Sequence, residues 1–159
     1  MVTNEEDVVR MLFPNRILNG RVLKSAFTLR SQLNEDYLSV FRTVGPTFKA
    51  DLQHLDKGRN CECSIMNVAC IRDIKFNCDG EEIACDVIEK GNIEETSHAG
   101  IVTYINNKQW IGGHENEIVV KRGHTIDIVI LAVQHRLASI AQKQIKHTNE
   151  LLGVPLHNL

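Results

Sequence analysis

The strongest pattern in the chain lies at its carboxy-terminal end. From Thr125 onward, Ile130, Val133, Leu137, Ile140, Ile145, Thr148 and Leu151 or Leu152 recur at intervals of about three and four, and Gly153 and Pro155 end the run. That spacing predicts one long amphipathic helix. Some 26 residues at about 1.5 Å each make roughly 40 Å, longer than a small domain is wide. Such a helix is expected to lie across its own sheet, or to bury its stripe against a second copy or another protein.

The rest of the chain is that of one soluble domain, expected over residues 1–159. Of the 159 residues 43% are hydrophobic and 24% charged, and a chain of this length buries roughly 70% of its surface on folding without metal or disulfide staples. A disordered chain, a collagen-like repeat and a stapled mini-protein are excluded. The longest apolar run, Ile128 to Val133, falls far short of the ~20 residues a bilayer span needs. The start Met1-Val2-Thr3-Asn4-Glu5-Glu6-Asp7 lacks the basic and apolar regions of a secretory signal, so a cytoplasmic protein is expected. Five cysteines, an odd number, suit reduced thiols that act as small buried hydrophobes. A net charge of −2 offers no long-range attraction to nucleic acid or to an anionic membrane.

Thr3 with Glu6 makes a capping-box pattern ahead of Val8, Val9, Met11 and Leu12, and Pro14 closes the stretch; a short amino-terminal helix is expected. Asn19-Gly20, between Ile17-Leu18 and Val22-Leu23, marks a hairpin or a loop. Tyr37 to Arg42 alternates as a strand, and Phe48, Leu52 and Leu55 share one face of a helix that Gly58 ends. Residues 63–69 suit a strand, 70–76 a turn of helix and 83–88 a buried strand after Asp79-Gly80, with a polar loop over 91–97. Further strands are expected over 99–105 and 117–121, separated by Asn106-Asn107 and Gly112-Gly113. The predicted class is α+β: a mostly antiparallel sheet of about five strands, a short amino-terminal helix and one long carboxy-terminal helix.

Chemistry-bearing residues are sparse. Cys61, Cys63, Cys70, Cys78 and Cys85 cluster in sequence, but only Cys61 and Cys63 are close enough to form one arm of a zinc site, so core cysteines are expected and neither metal nor cofactor is. Of the histidines, His98, His114 and His124 fall where loops meet predicted strands or helix, whereas His135 and His147 fall on the long helix, facing solvent. His98 stands out, because small neighbours in Thr96-Ser97-His98-Ala99-Gly100 allow a substrate or another backbone to approach the imidazole; the plainer role is a loop-to-strand tie. A nucleophile, Ser39 or Ser97, with His98 as base and Asp36, Asp86 or Glu95 as orienter, is the candidate catalytic set. Neither serine lies in a nucleophile elbow, and Gly112-Gly113 lacks a phosphate-binding context. Arg16, Arg21, Lys24 and Arg30 make the segment before the first strand locally basic. With Phe27 as a stacking face and Arg42 nearby, it suits a phosphate or an acidic partner, or a solvated charged face.

The segments Asn19-Gly20-Arg21-Val22, Ser25-Ala26-Phe27, Asp36-Tyr37-Leu38-Ser39-Val40 and His98-Ala99-Gly100-Ile101 resemble a pattern recurring in small bacterial proteins of no assigned function. The resemblance implies a bacterial cytoplasmic origin and supplies no activity. If the segments converge, Arg21, Phe27, Asp36, Ser39 and His98 form one surface. Three functions follow as expectations: self- or partner association through the long helix, a small hydrolase or transferase with a pocket around His98, and, least favoured by charge, a nucleic-acid-binding module.

Overall fold

The computed structural model describes residues 1–78, 80–94, 96–112 and 126–154. The expected strand over 117–121, together with Glu95, Gly113, His114 and His124, lies outside the described residues. In chain order come β1 (Asp7–Leu12), β2 (Ile17–Leu18), β3 (Arg21–Val22), β4 (Leu38–Arg42), α1 (Phe48–Asp56), β5 (Glu62–Asn67) and α2 (Val68–Arg72). They are followed by β6 (Lys75–Cys78), β7 (Glu81–Glu89), β8 (His98–Ile105), β9 (Lys108–Gln109), α3 (Ile126–Ala141), β10 (Ile145–His147) and α4 (Thr148–Leu152). The class is α+β, with a wholly antiparallel sheet in the order β10-β5-β1-β4-β8-β7-β6 and β9 beside β8. Among the described residues the sheet has eight strands in place of the five or so expected.

The expected amino-terminal helix is instead the strand β1. Val8, Val9, Met11 and Leu12 fit a helical stripe, but they fit equally a central strand covered on both faces, and β1 lies between β5 and β4 with every residue from Val8 to Leu12 buried. Half of the predicted capping box forms, as a turn: the Thr3 amide donates to Glu6 Oε2 at 2.6 Å. The Asn19-Gly20 hairpin forms as a separate ribbon, β2 against β3, with both turn residues left-handed (φ 50° and 75°).

The carboxy-terminal helix is also corrected. α3 has 16 residues, about 24 Å, which fits within the domain. Its buried stripe, Val129, Val133, Leu137 and Ala141, repeats every four residues against the sheet. At Ala141 the carbonyl accepts from Ser64 Oγ at 2.8 Å, and Gln142 turns away to hold the hairpin through Gly20 O and the Val22 amide. The chain then joins the edge of β5 as β10, pairing Ile145 with Ser64 and His147 with Glu62. Ile145, Thr148 and Leu151 thus keep helical spacing across a stretch that is strand first and a short helix afterwards. His147, the last residue of β10, caps α4 in a capping box with Glu150.

The two sheet faces carry separate cores. α2, α3 and the 3-10 turn Lys24–Phe27 cover one, over Val8, Leu12, Val40, Ile101 and Ile105. α1 and α4 cover part of the other, over Val9, Met11, Phe41 and Cys63.

Candidate functional site

The site begins where the sheet opens. β1 and β4 pair at Val8–Arg42 and Val9–Phe41, and the ladder stops there. Beyond it the Arg10 side chain bridges the gap: Nε donates to Ala26 O at 2.8 Å, Nη1 donates to Ser39 O at 2.7 Å, and the guanidinium lies 5.5 Å from the Phe27 ring centre. Arg10 is only 7% exposed. Burial, reinforced by the charge of Arg16, pulls its pKa down to about 9, so it is protonated at neutral pH.

A cavity of about 200 Å³ opens beside Arg10, lined among others by Arg16, Arg30, Glu35, Ser39, Phe13 and Phe41. Glu35 is committed to Arg30, accepting from its backbone N–H at 2.6 Å and from Nε and Nη2 at 2.9 and 3.2 Å. Burial acts to raise the Glu35 pKa, yet these bonds outweigh it and the carboxyl titrates low. Arg16 stacks on Phe13 at 5.8 Å.

Ser39 lines this cavity and meets His98, which is not itself among the lining residues. β4 and β8 pair Ser39 with Gly100 and Phe41 with His98, which places the two side chains diagonally on one face. Ser39 Oγ lies 2.6 Å from His98 Nε2. Two rings flank the imidazole, Tyr37 edge-on and Phe41 tilted, each with centres 5.7 Å away. Tyr37 occupies its place because position 100 is glycine: a Cβ there would sit 2.6 Å from Tyr37 Cδ2. Lys90, whose amide donates to His98 O at 3.0 Å, places its Nζ 4.8 Å from the Tyr37 ring centre.

The other sequence candidates disperse. Asp36 makes no hydrogen bond to His98; its carboxylate faces Lys90 Nζ at 4.0 Å. Asp86 accepts from Arg72 Nε at 2.7 Å, and Ser97 is buried with its hydroxyl on Asp51, tying the loop to α1. Arg21 is exposed on the hairpin, beside a different groove with His135 and Lys143. Phe27, 3% exposed, belongs to the core beneath Arg10 and offers no open stacking face. Arg42 is not at the cavity: Glu6 takes its Nε and Nη2 at 2.6 and 3.1 Å, and Glu89 takes Nη1 at 3.1 Å. The basic segment therefore forms no single face, with Arg16 and Arg30 at the cavity and Arg21 elsewhere. Burial pushes the Cys63 and Cys85 thiols up to about 11, away from the thiolate a metal requires, and among the described residues no three ligand-type side chains converge.

Sequence reasoning missed Arg10. The signal was present: a lone arginine inside Val8-Val9-Arg10-Met11-Leu12 is solvated on a helix but buried on a strand covered from both sides. Through Arg10 three of the four segments expected to converge do touch. It contacts Ala26 and Phe27 on one side and Ser39 on the other, and Ser39 contacts His98. Comparison with family models, curated proteins and solved structures gives no match to the chain.

Proposed function

We propose that the protein is a small hydrolase or transferase in which Ser39 is the nucleophile and His98 its general base. The observation that carries this reading is the 2.6 Å contact between His98 Nε2 and the Oγ of Ser39, a residue that lines a cavity. A serine hydroxyl is a weak nucleophile until an adjacent base takes its proton. In the proposed step Oγ forms a bond to an acyl or phosphoryl centre, its proton passes to Nε2, and His98 returns that proton to the leaving group. Water or a second acceptor then takes the group from Ser39. A cytoplasmic setting suits the five thiols, all unpaired.

A fluorophosphonate probe followed by peptide mass spectrometry tests this. Labelling at Ser39 is expected, absent in Ser39→Ala and slowed by about 100-fold or more in His98→Ala, the usual contribution of a positioned base. Wild-type protein that resists the probe, or His98→Ala protein that labels at the wild-type rate, would refute the reading.

Association through α3 is the second reading. The helix is too short to outreach its own domain, so the support is narrower: Ile128 and Leu131 are 50% and 37% exposed on its first turns. A mass by light scattering that rises with concentration, and falls back in Leu131→Ser, is the expected sign.

A further inference from the structure

The charge of the cavity beside Ser39 is more than a serine–histidine pair requires. Arg10 is 93% buried by its 7% exposure, and a buried cation is normally offset by a carboxylate. Arg10 has none within ion-pair distance among the described residues; its two bonds go to backbone carbonyls, which fix its position without neutralising it. Its Nη2 has no hydrogen-bond partner among the described residues. Since every fully buried side-chain nitrogen or oxygen among the described residues has a partner, Nη2 is open to space, and the space that Arg10 lines is this cavity.

The remaining walls agree. Three arginines, Arg10, Arg16 and Arg30, face one carboxylate, Glu35, both of whose oxygens Arg30 holds. Phe13 and Phe41 supply apolar wall, and Arg59 adds a further cation 5.2 Å from the Phe13 ring centre. At about 200 Å³ the cavity is smaller than the space for a drug-sized ligand, roughly 300–1,000 Å³.

We infer that this cavity binds a small molecule carrying an oxyanion, a carboxylate or a phosphate, on a short apolar body. Arg10 Nη2 and Arg16 take the oxyanion, and Phe13 and Phe41 take the apolar part. A guanidinium nitrogen in a low-dielectric recess binds an oxyanion more strongly than one in water, and the bound charge offsets the burial of Arg10. The inference rests on taking the cavity as the substrate site of the Ser39–His98 pair, and it names the class of substrate.

The test follows the Arg10 side-chain Nε–Hε resonance of the full-length protein during titration with benzoate, phenyl phosphate and neutral benzamide. A saturable shift with benzoate or phenyl phosphate, and none with benzamide, is expected; the tighter of the two identifies the oxyanion. Arg10→Met should abolish saturable binding, read from the amide resonances. Arg16→Gln, a change at a half-buried residue that spares the core, should weaken it about threefold to tenfold. No saturable shift with either anion, or an equal response to benzamide, overturns the inference. Ser39→Ala separates the two readings, because it should lose probe labelling and keep anion binding. Labelling without anion binding would sink this inference alone, whereas anion binding without labelling would sink the reaction and leave the site.

Discussion

Two arginines stand on neighbouring strands, on the same face of one sheet, and their surroundings are opposite. Arg42 pairs across the ladder with Val8, and Arg10 is two residues further along from Val8. Arg42 meets Glu6 in a two-pronged contact and reaches Glu89 as well. The Glu6 hydrogen bond raises the Arg42 pKa, and the same bond lowers that of Glu6. Arg10, more deeply buried, hydrogen-bonds only to carbonyls among the described residues and is shifted downward. An arginine neutralised on the spot is architecture, joining the amino-terminal turn to β4 and β7. One held rigidly but not neutralised, over open space, is prepared for a charge that arrives from outside.

The comparison can be broken by measuring what each arginine contributes to stability. Arg42→Met strands the Glu6 carboxylate, only 7% exposed, and a loss of about 3 kcal/mol in urea unfolding is expected, as for other broken buried pairs. Arg10→Met gives up two carbonyl bonds but also removes an uncompensated cation, so a net loss of about 1 kcal/mol is expected. If Arg10→Met proves the costlier change, Arg10 is an architectural residue too, and the distinction fails.

Acid unfolding sharpens the same contrast. The Glu6 carboxyl is held below its usual 4.5 by the Arg42 hydrogen bond, against the opposing effect of burial. A carboxyl lowered in the folded state contributes stability above its unfolded value, and that contribution fades as pH falls through the folded value. Stability should therefore decline as pH drops below about 4.5, and Glu6→Gln should remove part of that slope. Arg10→Met should change the slope much less, since among the described residues Arg10 makes no direct ion pair and its charge is the last-ranked influence lowering the Glu35 carboxyl. A third change spares both arginines. Gly100→Ala forces Tyr37 out of its place, at an expected cost of about 1–3 kcal/mol, and the displaced ring no longer flanks His98. Probe labelling of Ser39 should slow with it, and labelling at the wild-type rate would show that the ring does not position the imidazole.

Elements whose signals are local were legible in the sequence. β4, α1 and the Asn19-Gly20 hairpin follow from alternation, an apolar face and a turn dipeptide, each decided within a few residues. β1 and the segment after Ala141 were not, because their outcome depends on what lies beside them. Val8 to Leu12 becomes a strand once β5 and β4 flank it, and Ile145 leaves the helical path because β5 offers an unpaired edge. The same reason divided the candidate site. Ser39 and His98 sit on or beside strands whose existence was evident, but their meeting depends on the β4–β8 register, which no local signal sets. Arg10 was hidden by the helical reading of β1, and Asp36 and Arg42 found partners, Lys90 and Glu6, that no spacing in the sequence announces.

The smallest expected effect on stability is the most informative about the cavity. Arg30 and Glu35 form an exposed pair, with side chains 55% and 26% accessible, and such pairs contribute less than about 1 kcal/mol. Arg30→Gln should accordingly leave the unfolding midpoint almost unchanged. It also frees the Glu35 carboxylate, whose field already reaches Arg10, from its guanidinium partner while keeping the Arg30 backbone bond, and lowers the net charge of the cavity wall. Glu35 would then offset Arg10 much as Glu6 offsets Arg42, turning the second arginine into a copy of the first. Benzoate affinity should fall although Arg10 and Arg16 are untouched, and Glu35→Gln should move it the other way. If Arg30→Gln instead lowered stability by several kcal/mol and left benzoate affinity as it was, the Arg30–Glu35 pair would be part of the scaffold, and the uncompensated charge of Arg10 would have no bearing on binding.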